Sequence, residues 1–302
     1  MYILGFILGT VLGSLVKALA DRSLTNKTFR GRSYCPQCKH KLQWYDLLPI
    51  ISYLLLRGRC RYCGDRISVE YFLVEVVMGL LIGYLFFQGF DKIMQWPYLV
   101  NFQFTISLLD LLFKTFFISV LVVLFLTDIK RMFIPDRIIL PSIVIATIFL
   151  LLTTLYKIGY LYYFLSQSRI GQLLLPPHSD YFRNHAIRTA EPLIYSIVAA
   201  ILIGGFFWLL IIITKGKGMG GGDVKLGALM GLVLGSPLSL VALMISFLLG
   251  ALISVVLLTL GKKHFGESIP FGPFLVSGSL VTLFWGNNIF EWYLHFSFKM
   301  GY

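Results

Sequence analysis

The sequence from Leu238 to Leu260, LSLVALMISFLLGALISVVLLTL, contains no charged residue. A helix of about 20 such residues crosses the roughly 30 Å hydrocarbon core of a bilayer. Seven further apolar stretches are long enough, or nearly long enough, for the same role, although the one at 224–235 is short and glycine-rich. The sequence therefore predicts an all-α polytopic membrane protein with about eight transmembrane helices. These helices are expected at residues 1–20, 69–88, 104–127, 138–156, 193–213, 224–235, 238–260 and 271–287.

The composition agrees with this membrane class. Of 302 residues, 57% are hydrophobic and 13% are charged, and the mean hydropathy is +0.81. Soluble domains contain about 45–50% apolar and about 25% charged residues. The composition therefore excludes a soluble globular protein and a disordered one.

The net charge of +12 predicts topology more than it predicts a nucleic-acid partner. One set of alternate loops carries 18 Lys and Arg residues and the other set carries 6. The positive-inside rule places the first set in the cytoplasm and both termini outside, and 157–192 becomes the longest outer loop. The cytoplasmic set comprises residues 21–68, 128–137, 214–225 and 261–270. The first span has no Lys or Arg before Lys17, so we expect it to be retained despite the signal-peptidase-like Ala18-Leu19-Ala20.

Four cysteines form the pattern C-x2-C-x21-C-x2-C at Cys35, Cys38, Cys60 and Cys63. Each C-x2-C can fold as a tight knuckle, and two knuckles can present four thiolates to a structural zinc ion. Gly64 suits the permissive backbone that such a knuckle needs. A redox pair and unligated thiols remain alternatives. A four-cysteine site has no open coordination position, so the predicted role of the metal is structural.

Between the two knuckles, apolar residues recur at helical spacing, with Pro49 interrupting the pattern. This spacing fits an amphipathic segment on the membrane surface, and it fits packing against the spans equally well. The residues are Trp44, Leu47, Leu48, Ile51 and Leu55.

Ionisable residues in or beside membrane spans are functional candidates because burying them in lipid is costly. Five carboxylates qualify: Glu75, Asp110, Asp128, Asp136 and Asp223. Asp110 can pair with Lys114 one helical turn away, and Asp136 is expected to cap the next helix. The role of Glu75 stays open, and a buried structural partner is one interpretation.

Asp128 and Asp223 are predicted at the same cytoplasmic depth, and Asp223 ends the run Gly218-Met219-Gly220-Gly221-Gly222-Asp223. Glycines at 220, 221 and 222 would let a ligand or an extended peptide approach the backbone closely. Two carboxylates at one depth can divide the acid and base roles of aspartic proteolysis, although an ion or proton path is the competing interpretation. The helix dipole would favour ionised Asp223 at a helix start and protonated Asp128 near a helix end.

These motifs, in this order, resemble the bacterial type IV prepilin peptidases, which are membrane aspartic proteases with a GxGD motif. The resemblance rests on the four-cysteine module, on the segments from Asp128 to Asp136 and from Gly220 to Leu226, and on Ile67-Ser68, Leu73-Val74-Glu75 and Ile269-Pro270-Phe271-Gly272-Pro273-Phe274. It implies that Asp128 and Asp223 are the catalytic pair. The implied reaction is removal of the basic leader of prepilins or pseudopilins after a Gly at the cytoplasmic face of the bacterial inner membrane.

The same resemblance implies N-methylation of the new amino terminus with S-adenosylmethionine. It adds a residue of methyl transfer as the second interpretation of Glu75. The first span has Gly13-Ser14 as in the family but departs from its usual Asn and Tyr-Arg further on. The implied organisation is a first helix at 1–20, a cytoplasmic zinc module at 21–68 and a catalytic membrane domain at 69–302. The implied partners are the lipid bilayer and pilin-like substrates of a type IV pilus, type II secretion or DNA-uptake system. The placement of the basic residues in alternate loops argues against nucleic acid as a partner.

Three alternatives are weighed against this interpretation. A preflagellin peptidase does not explain the zinc module or the segment from Ile269 to Phe274. A transporter would use the two aspartates as an ion or proton path, but the chain shows no internal repeat of the kind common in transporters. A non-enzymatic scaffold gives no reason for two aspartates at matching depth beside a glycine run.

Overall fold

The computed structural model describes residues 1–25, 27–29, 31–35, 37–94, 100–216, 219–262, 264 and 269–299. Gly218, the first glycine of the predicted run, lies outside them. The described chain is almost entirely helical, and its only strand-like pairings are two isolated bridges in the four-cysteine region. It divides into two compact units, Met1–Pro135 and Asp136–Tyr302.

Ten α-helices and one short 3-10 helix, Trp44–Leu47, form the described structure. The α-helices are α1 Tyr2–Leu24, α2 Ile51–Leu55, α3 Val69–Met94, α4 Val100–Arg131, α5 Asp136–Ser166, α6 Arg169–Leu173, α7 Tyr181–Ile213, α8 Gly221–Leu234, α9 Leu238–Thr259 and α10 Gly272–Lys299.

The predicted membrane architecture is confirmed, because each of the eight predicted stretches coincides with a helix. Within the described residues, six helices are long and apolar enough to cross a bilayer: α1, α3, α4, α5, α7 and α9. Helix α8 has 14 residues, which correspond to about 21 Å at 1.5 Å per residue, less than the hydrocarbon thickness. Whether α8 crosses fully stays open, as it was for the sequence, and the crossing of α10 remains a prediction.

In the first unit, α1 packs tightly on α3 through glycines spaced one helical turn apart. A Cβ atom added at Gly9 would lie 2.5 Å from the Met78 carbonyl oxygen, and one at Gly13 would lie 2.8 Å from the Glu75 Cα. Small residues at such spacing let helix backbones approach closely, as is common in membranes. Helix α4 packs against both α1 and α3 and completes the bundle.

In the second unit, the short helix α8 lies among α5, α7, α9 and α10. Gly227 and Gly231 face α7: a Cβ at Gly231 would lie 2.6 Å from the Ala199 carbonyl oxygen, and one at Gly227 would lie 2.6 Å from the Phe207 ring. Leu226, Leu229 and Met230 are buried. This packing fixes the beginning of α8, where Asp223 lies.

The predicted outer loop at 157–192 differs from the structure, which is mostly helical there. Helix α5 continues to Ser166, α6 covers Arg169–Leu173, and α7 already begins at Tyr181. The prediction followed the apolar run, which ends where the hydrocarbon core would end. Backbone hydrogen bonding does not need apolar side chains, so both helices extend past that boundary.

Candidate functional site

The two C-x2-C segments form equivalent knuckles. In the first, the N–H of Lys39 donates to the Cys35 carbonyl (2.9 Å); in the second, the N–H of Gly64 donates to the Cys60 carbonyl (2.9 Å). Gly64 has φ +75°, which confirms the predicted need for a permissive backbone, and Lys39 takes the same left-handed conformation with φ +57°.

The knuckles bring all four sulfurs together. The four Sγ atoms lie within 4.8 Å of one another, and Cys35 Sγ and Cys63 Sγ are 3.9 Å apart. A tetrahedral zinc site with Zn–S bonds of about 2.3 Å has sulfurs about 3.8 Å apart. Cys35 and Cys60 are buried, whereas Cys38 and Cys63 are exposed. The predicted four-cysteine cluster is therefore confirmed as a group that could bind a metal.

The thiols influence one another strongly. Burial opposes ionisation of Cys60, but hydrogen bonds from the backbone N–H groups of Cys63 and Tyr62 overcome it and lower its pKa to about 7. The backbone N–H of Asp65 favours the Cys63 thiolate, but desolvation and the neighbouring sulfurs raise its pKa to about 12. The Cys60 thiolate thus forms readily, whereas Cys63 resists ionisation beside it. A divalent cation bound between the sulfurs would relieve the repulsion between neighbouring thiolates.

Asp46 joins the segment between the knuckles to the second knuckle. Its carboxylate accepts hydrogen bonds from Arg61 Nε and the Tyr62 hydroxyl, each at 2.9 Å, and from the backbone N–H of Gln43 at 3.1 Å. Sequence reasoning missed this residue. Its only signal was an acidic side chain within an apolar stretch.

Two contacts attach the same segment to α3. The backbone N–H of Ile50 donates to Glu75 Oε2 at 2.8 Å, and the Tyr53 ring stacks on Phe72 at 5.3 Å. Ile50 has φ +61°, a strained conformation for a β-branched residue. Glu75 is buried, so the structure shows it as a structural partner. Its role in methyl transfer stays open.

A charged cluster lies where the C-terminal ends of α1 and α4 meet the N-terminal end of α3. The Lys17 ammonium, 2% exposed, pairs with Asp21 at 2.6 Å and with Glu70 at 3.2 Å. Lys130 also pairs with Glu70 at 2.5 Å, and the Tyr71 hydroxyl donates to Asp21 at 2.7 Å. Sequence reasoning missed this cluster, although Lys17 and Asp21 have the i,i+4 spacing of a helical ion pair.

A cavity of about 1630 Å³ lies between the four-cysteine region and this bundle. Its walls include Ser14, Lys17, Asp21, Glu70 and Glu75 together with backbone and side chains of both knuckles. Small-molecule sites usually measure about 300–1,000 Å³. The cavity has room for a cofactor-sized molecule and the end of a peptide.

Asp128 lies in the last turn of α4, as predicted, and is 6% exposed. The N–H of Met132 donates to the Asp128 carbonyl at 2.7 Å, and Met132 has φ +50°. This left-handed cap ends the helix and fixes the position of the turn that carries Asp128.

Asp223 lies in the first turn of α8, also as predicted, and is partly buried. Gly220 is the N-cap and Gly221 begins the helix. Two residues after Asp223, Lys225 Nζ pairs with Asp136 at 2.5 Å. Asp136, predicted as a cap, is the first residue of α5 and links it to α8. Asp128 and Asp223 belong to different compact units, and their pairing stays a prediction.

Asp110 forms the predicted ion pair with Lys114, at 2.7 Å. A single exposed pair of this kind within one helix contributes little to stability and needs no catalytic explanation. Because the ion pair with Lys114 accounts for it, Asp110 is no longer a candidate for a catalytic carboxylate.

The fold and these groups define a class: a multi-pass helical membrane protein with a four-cysteine metal-type site and an aspartate at each of two helix ends. Two family models match the chain: the bacterial peptidase A24 N-terminal domain over residues 7–89, and the type IV leader peptidase family over residues 180–255. The first match contains the four cysteines and Glu75, the second contains Asp223, and Asp128 lies between them. The chain belongs to the type IV leader peptidase family.

Curated relatives extend this similarity over most of the chain. The prepilin leader peptidase/N-methyltransferase of Bacillus subtilis is 29% identical over 290 residues, which cover 96% of both chains. The protein of the same name from Pseudomonas putida is 30% identical and covers 85% of this chain and 73% of its own. The one from Pseudomonas aeruginosa is 29% identical and covers 88% and 75%. No solved structure matches the chain. The alternative of a transporter receives no support from these similarities.

Proposed function

We propose that this protein is a membrane aspartic endopeptidase that removes the basic leader of type IV prepilins or pseudopilins, with Asp128 and Asp223 as its catalytic pair. The observation that carries the proposal is the position of Asp223. It lies in the first turn of a buried helix, directly after an accessible glycine run, within the part of the chain that matches the type IV leader peptidase family.

The two carboxylates divide the chemistry. The positive end of the α8 dipole favours an ionised Asp223. This carboxylate takes a proton from a water molecule while the water oxygen attacks the scissile carbonyl carbon. A protonated Asp128 donates to the carbonyl oxygen. When the tetrahedral intermediate collapses, the C–N bond breaks, the leaving amine takes the proton that Asp223 holds, and Asp128 regains a proton from a hydroxyl of the intermediate. Because the protons belong to the pair, the dipole only biases the two roles.

The substrate fits this location. A basic leader is attracted to carboxylates at the cytoplasmic boundary, and the apolar helix that follows it in a pilin can lie among the spans. The scissile bond then lies at the interface, where water is present. This arrangement requires the four-cysteine module in the cytoplasm and the protein in the bacterial inner membrane.

The second proposed activity is N-methylation of the new amino terminus, with S-adenosylmethionine as methyl donor. The cavity beside Glu75 suits it, because it is large and has buried charged groups of both signs, Lys17 and Glu75, in its wall. When bound, S-adenosylmethionine supplies an electrophilic methyl group. The amine nitrogen gains this methyl group and loses one proton, which the buried carboxylate can accept. Cys35, Cys38, Cys60 and Cys63 hold a structural zinc ion that keeps the cytoplasmic wall of this cavity folded.

The first experiment is leader cleavage of a purified prepilin in detergent. We expect Asp128→Asn and Asp223→Asn each to abolish cleavage, by at least about 10³-fold if each carboxylate acts as general acid or base. Asp110→Asn is the matched control, because Asp110 lies on the same helix as Asp128 in an exposed ion pair. Normal cleavage by either of the first two variants would overturn the assignment.

A binding experiment separates methyl transfer from cleavage. Glu75→Gln should lower the affinity for labelled S-adenosylmethionine and the yield of methylated product, while the leader is still removed. Asp128→Asn should bind S-adenosylmethionine normally. If Glu75→Gln bound it as tightly as the native protein, the cavity assignment would be wrong, whatever the cleavage result.

A further inference from the structure

The four-cysteine region carries an apolar patch that the rest of the described protein leaves uncovered. The patch consists of Trp44, Leu48, Ile51, Leu54 and Leu55, of which Trp44 is 74% and Leu55 76% exposed. Leu48, Ile51 and Leu54 are 40%, 54% and 60% exposed, so packing within the described protein leaves a large part of this apolar surface uncovered. Exposed apolar surface concentrated on one short segment indicates an interaction site.

The depth of this segment relative to the membrane follows from its contacts with α3. Ile50 and Tyr53, which lie within the same segment, contact Glu75 and Phe72. Phe72 lies three residues and Glu75 six residues inside the span that begins at Val69. At 1.5 Å per residue, these positions are roughly 5 and 9 Å along the helix axis. The segment therefore lies beside the first turns of a membrane-crossing helix.

The surroundings at that depth are those of a lipid interface. On the same turns of α3, the apolar side chains of Val69 and Leu73 are exposed, as expected for the lipid-facing side of a membrane span. In-plane amphipathic segments bury their apolar side about 5–10 Å into the boundary between headgroups and acyl chains. The segment's contacts place it within that range.

The charge around the patch has the sign that anionic headgroups attract. Arg57, Arg59 and Arg66 follow the segment and are exposed, whereas the charge of Arg61 is paired with Asp46. Basic residues beside a membrane surface are attracted to anionic lipids. Trp is also the side chain that membrane interfaces favour, since its ring is apolar and its N–H is polar.

We propose that the segment from Trp44 to Leu55 is an in-plane membrane anchor, with the apolar patch inserted into the cytoplasmic leaflet of the bilayer. The anchor holds the four-cysteine region down on the bilayer at the level of Glu75. The cavity between that region and the helix bundle then opens at the membrane surface. The proposal concerns position only, and it does not depend on the proposed peptidase activity.

The test measures where Trp44 lies in the full-length protein reconstituted in phosphatidylethanolamine–phosphatidylglycerol vesicles. In a variant that keeps only Trp44, with Trp96, Trp208, Trp285 and Trp292 replaced by Phe, we expect blue-shifted emission. We also expect quenching by lipids brominated near the top of the acyl chain and protection from aqueous iodide. Two control variants provide reference values for the quenching. The first keeps only the exposed Trp208 of span α7 and represents a tryptophan in lipid. The second, Lys41→Trp with all five native tryptophans replaced by Phe, represents a tryptophan on the exposed surface of the same cysteine region.

Two results would overturn the proposal. Quenching of Trp44 by iodide to the extent seen at Lys41→Trp would show that the patch lies in water. Shielding from iodide only after a prepilin is added would show that it docks the substrate instead of lipid. A further variant, Leu55→Glu, should reduce the lipid quenching of Trp44 while the metal content of the protein stays unchanged, which shows that the cysteine region is still folded.

Discussion

At the scale of single residues, Gly220 and Gly221 need not be glycine for the chain's own fold. Gly220 has φ −88° and ψ 155°, an extended conformation open to any residue, and Gly221 is simply the first residue of α8. A Cβ added at either position would meet no described atom within 4 Å. The missing side chains therefore leave room for something outside the chain, and the proposed function identifies it as the substrate backbone.

Gly220→Ala and Gly221→Ala should accordingly leave the free energy of unfolding within about 0.5 kcal/mol of the native value. Leader cleavage should fall, because the added methyl groups keep the peptide backbone away from Asp223. The two quantities are measured by denaturant titration in detergent and by prepilin cleavage. Gly205→Ala on α7 is the control: it also meets open space, so it should leave cleavage unchanged and, inside a helix, stabilise the protein by up to about 1 kcal/mol. Full cleavage by both site variants would show that the peptide does not approach there.

The same scale shows what a sequence can and cannot reveal about charges. The pair of Asp110 and Lys114 was predictable, because i,i+4 neighbours on one helix meet whatever the fold is. The contact of Lys17 with Glu70, and that of Lys225 with Asp136, join residues more than 50 positions apart. Such contacts depend on how the helices pack, so they cannot be predicted from the spacing of residues along the sequence.

At the scale of helices, the α1–α3 contact depends on the absence of side chains at Gly9 and Gly13. Around Gly9, the nearest atoms are backbone of Met78 and Gly79, at 2.5 and 2.8 Å from an added Cβ. Backbone cannot move aside as a flexible side chain can, so a larger residue must push the helices apart. The contact between α1 and α3 is therefore sensitive even to the replacement of Gly9 by Ala.

Gly9→Ala is therefore expected to destabilise the first unit by about 1–3 kcal/mol, the usual cost of overpacking. Gly159→Ala is the matched control. Gly159 lies in helix α5 with open space around it, and Ala should stabilise the helix by up to about 1 kcal/mol. Unfolding monitored by circular dichroism in detergent measures both. Equal stability of the two variants would mean that α1 and α3 are not in close contact.

The helices themselves were largely predictable because a membrane imposes length and apolarity on every span. The short glycine-rich stretch at 224–235 was recognised, and it became α8 at the centre of the second unit. The two elements between the knuckles were only partly foreseen: Pro49 separates a 3-10 turn from α2. Their exposure could not be read from the spacing, since helical periodicity is the same for a face that packs and a face that meets lipid.

At the scale of the whole molecule, the four-cysteine region differs from the helix bundle in what keeps it folded. Among the described residues between 31 and 66, only Cys35, Gly58 and Cys60 are buried. A segment of this length without a hydrophobic core needs another source of stability, and the proposed structural metal would supply it. Helices α1, α3 and α4 have buried apolar side chains of their own, such as Val16, Met78 and Leu121.

Removal of the metal should therefore unfold this region and leave the bundle intact. After treatment with a strong chelator, amide hydrogen exchange should increase across residues 34–66, while the amides of α1, α3 and α4 remain protected. Cys63→Ser should show the same exchange pattern before chelation and little further change after it, because its metal site is already incomplete. Loss of protection throughout the first unit would show instead that the metal also stabilises the bundle. Unchanged exchange at 34–66 would show that the contacts of Asp46, Ile50 and Tyr53 hold the region without a metal.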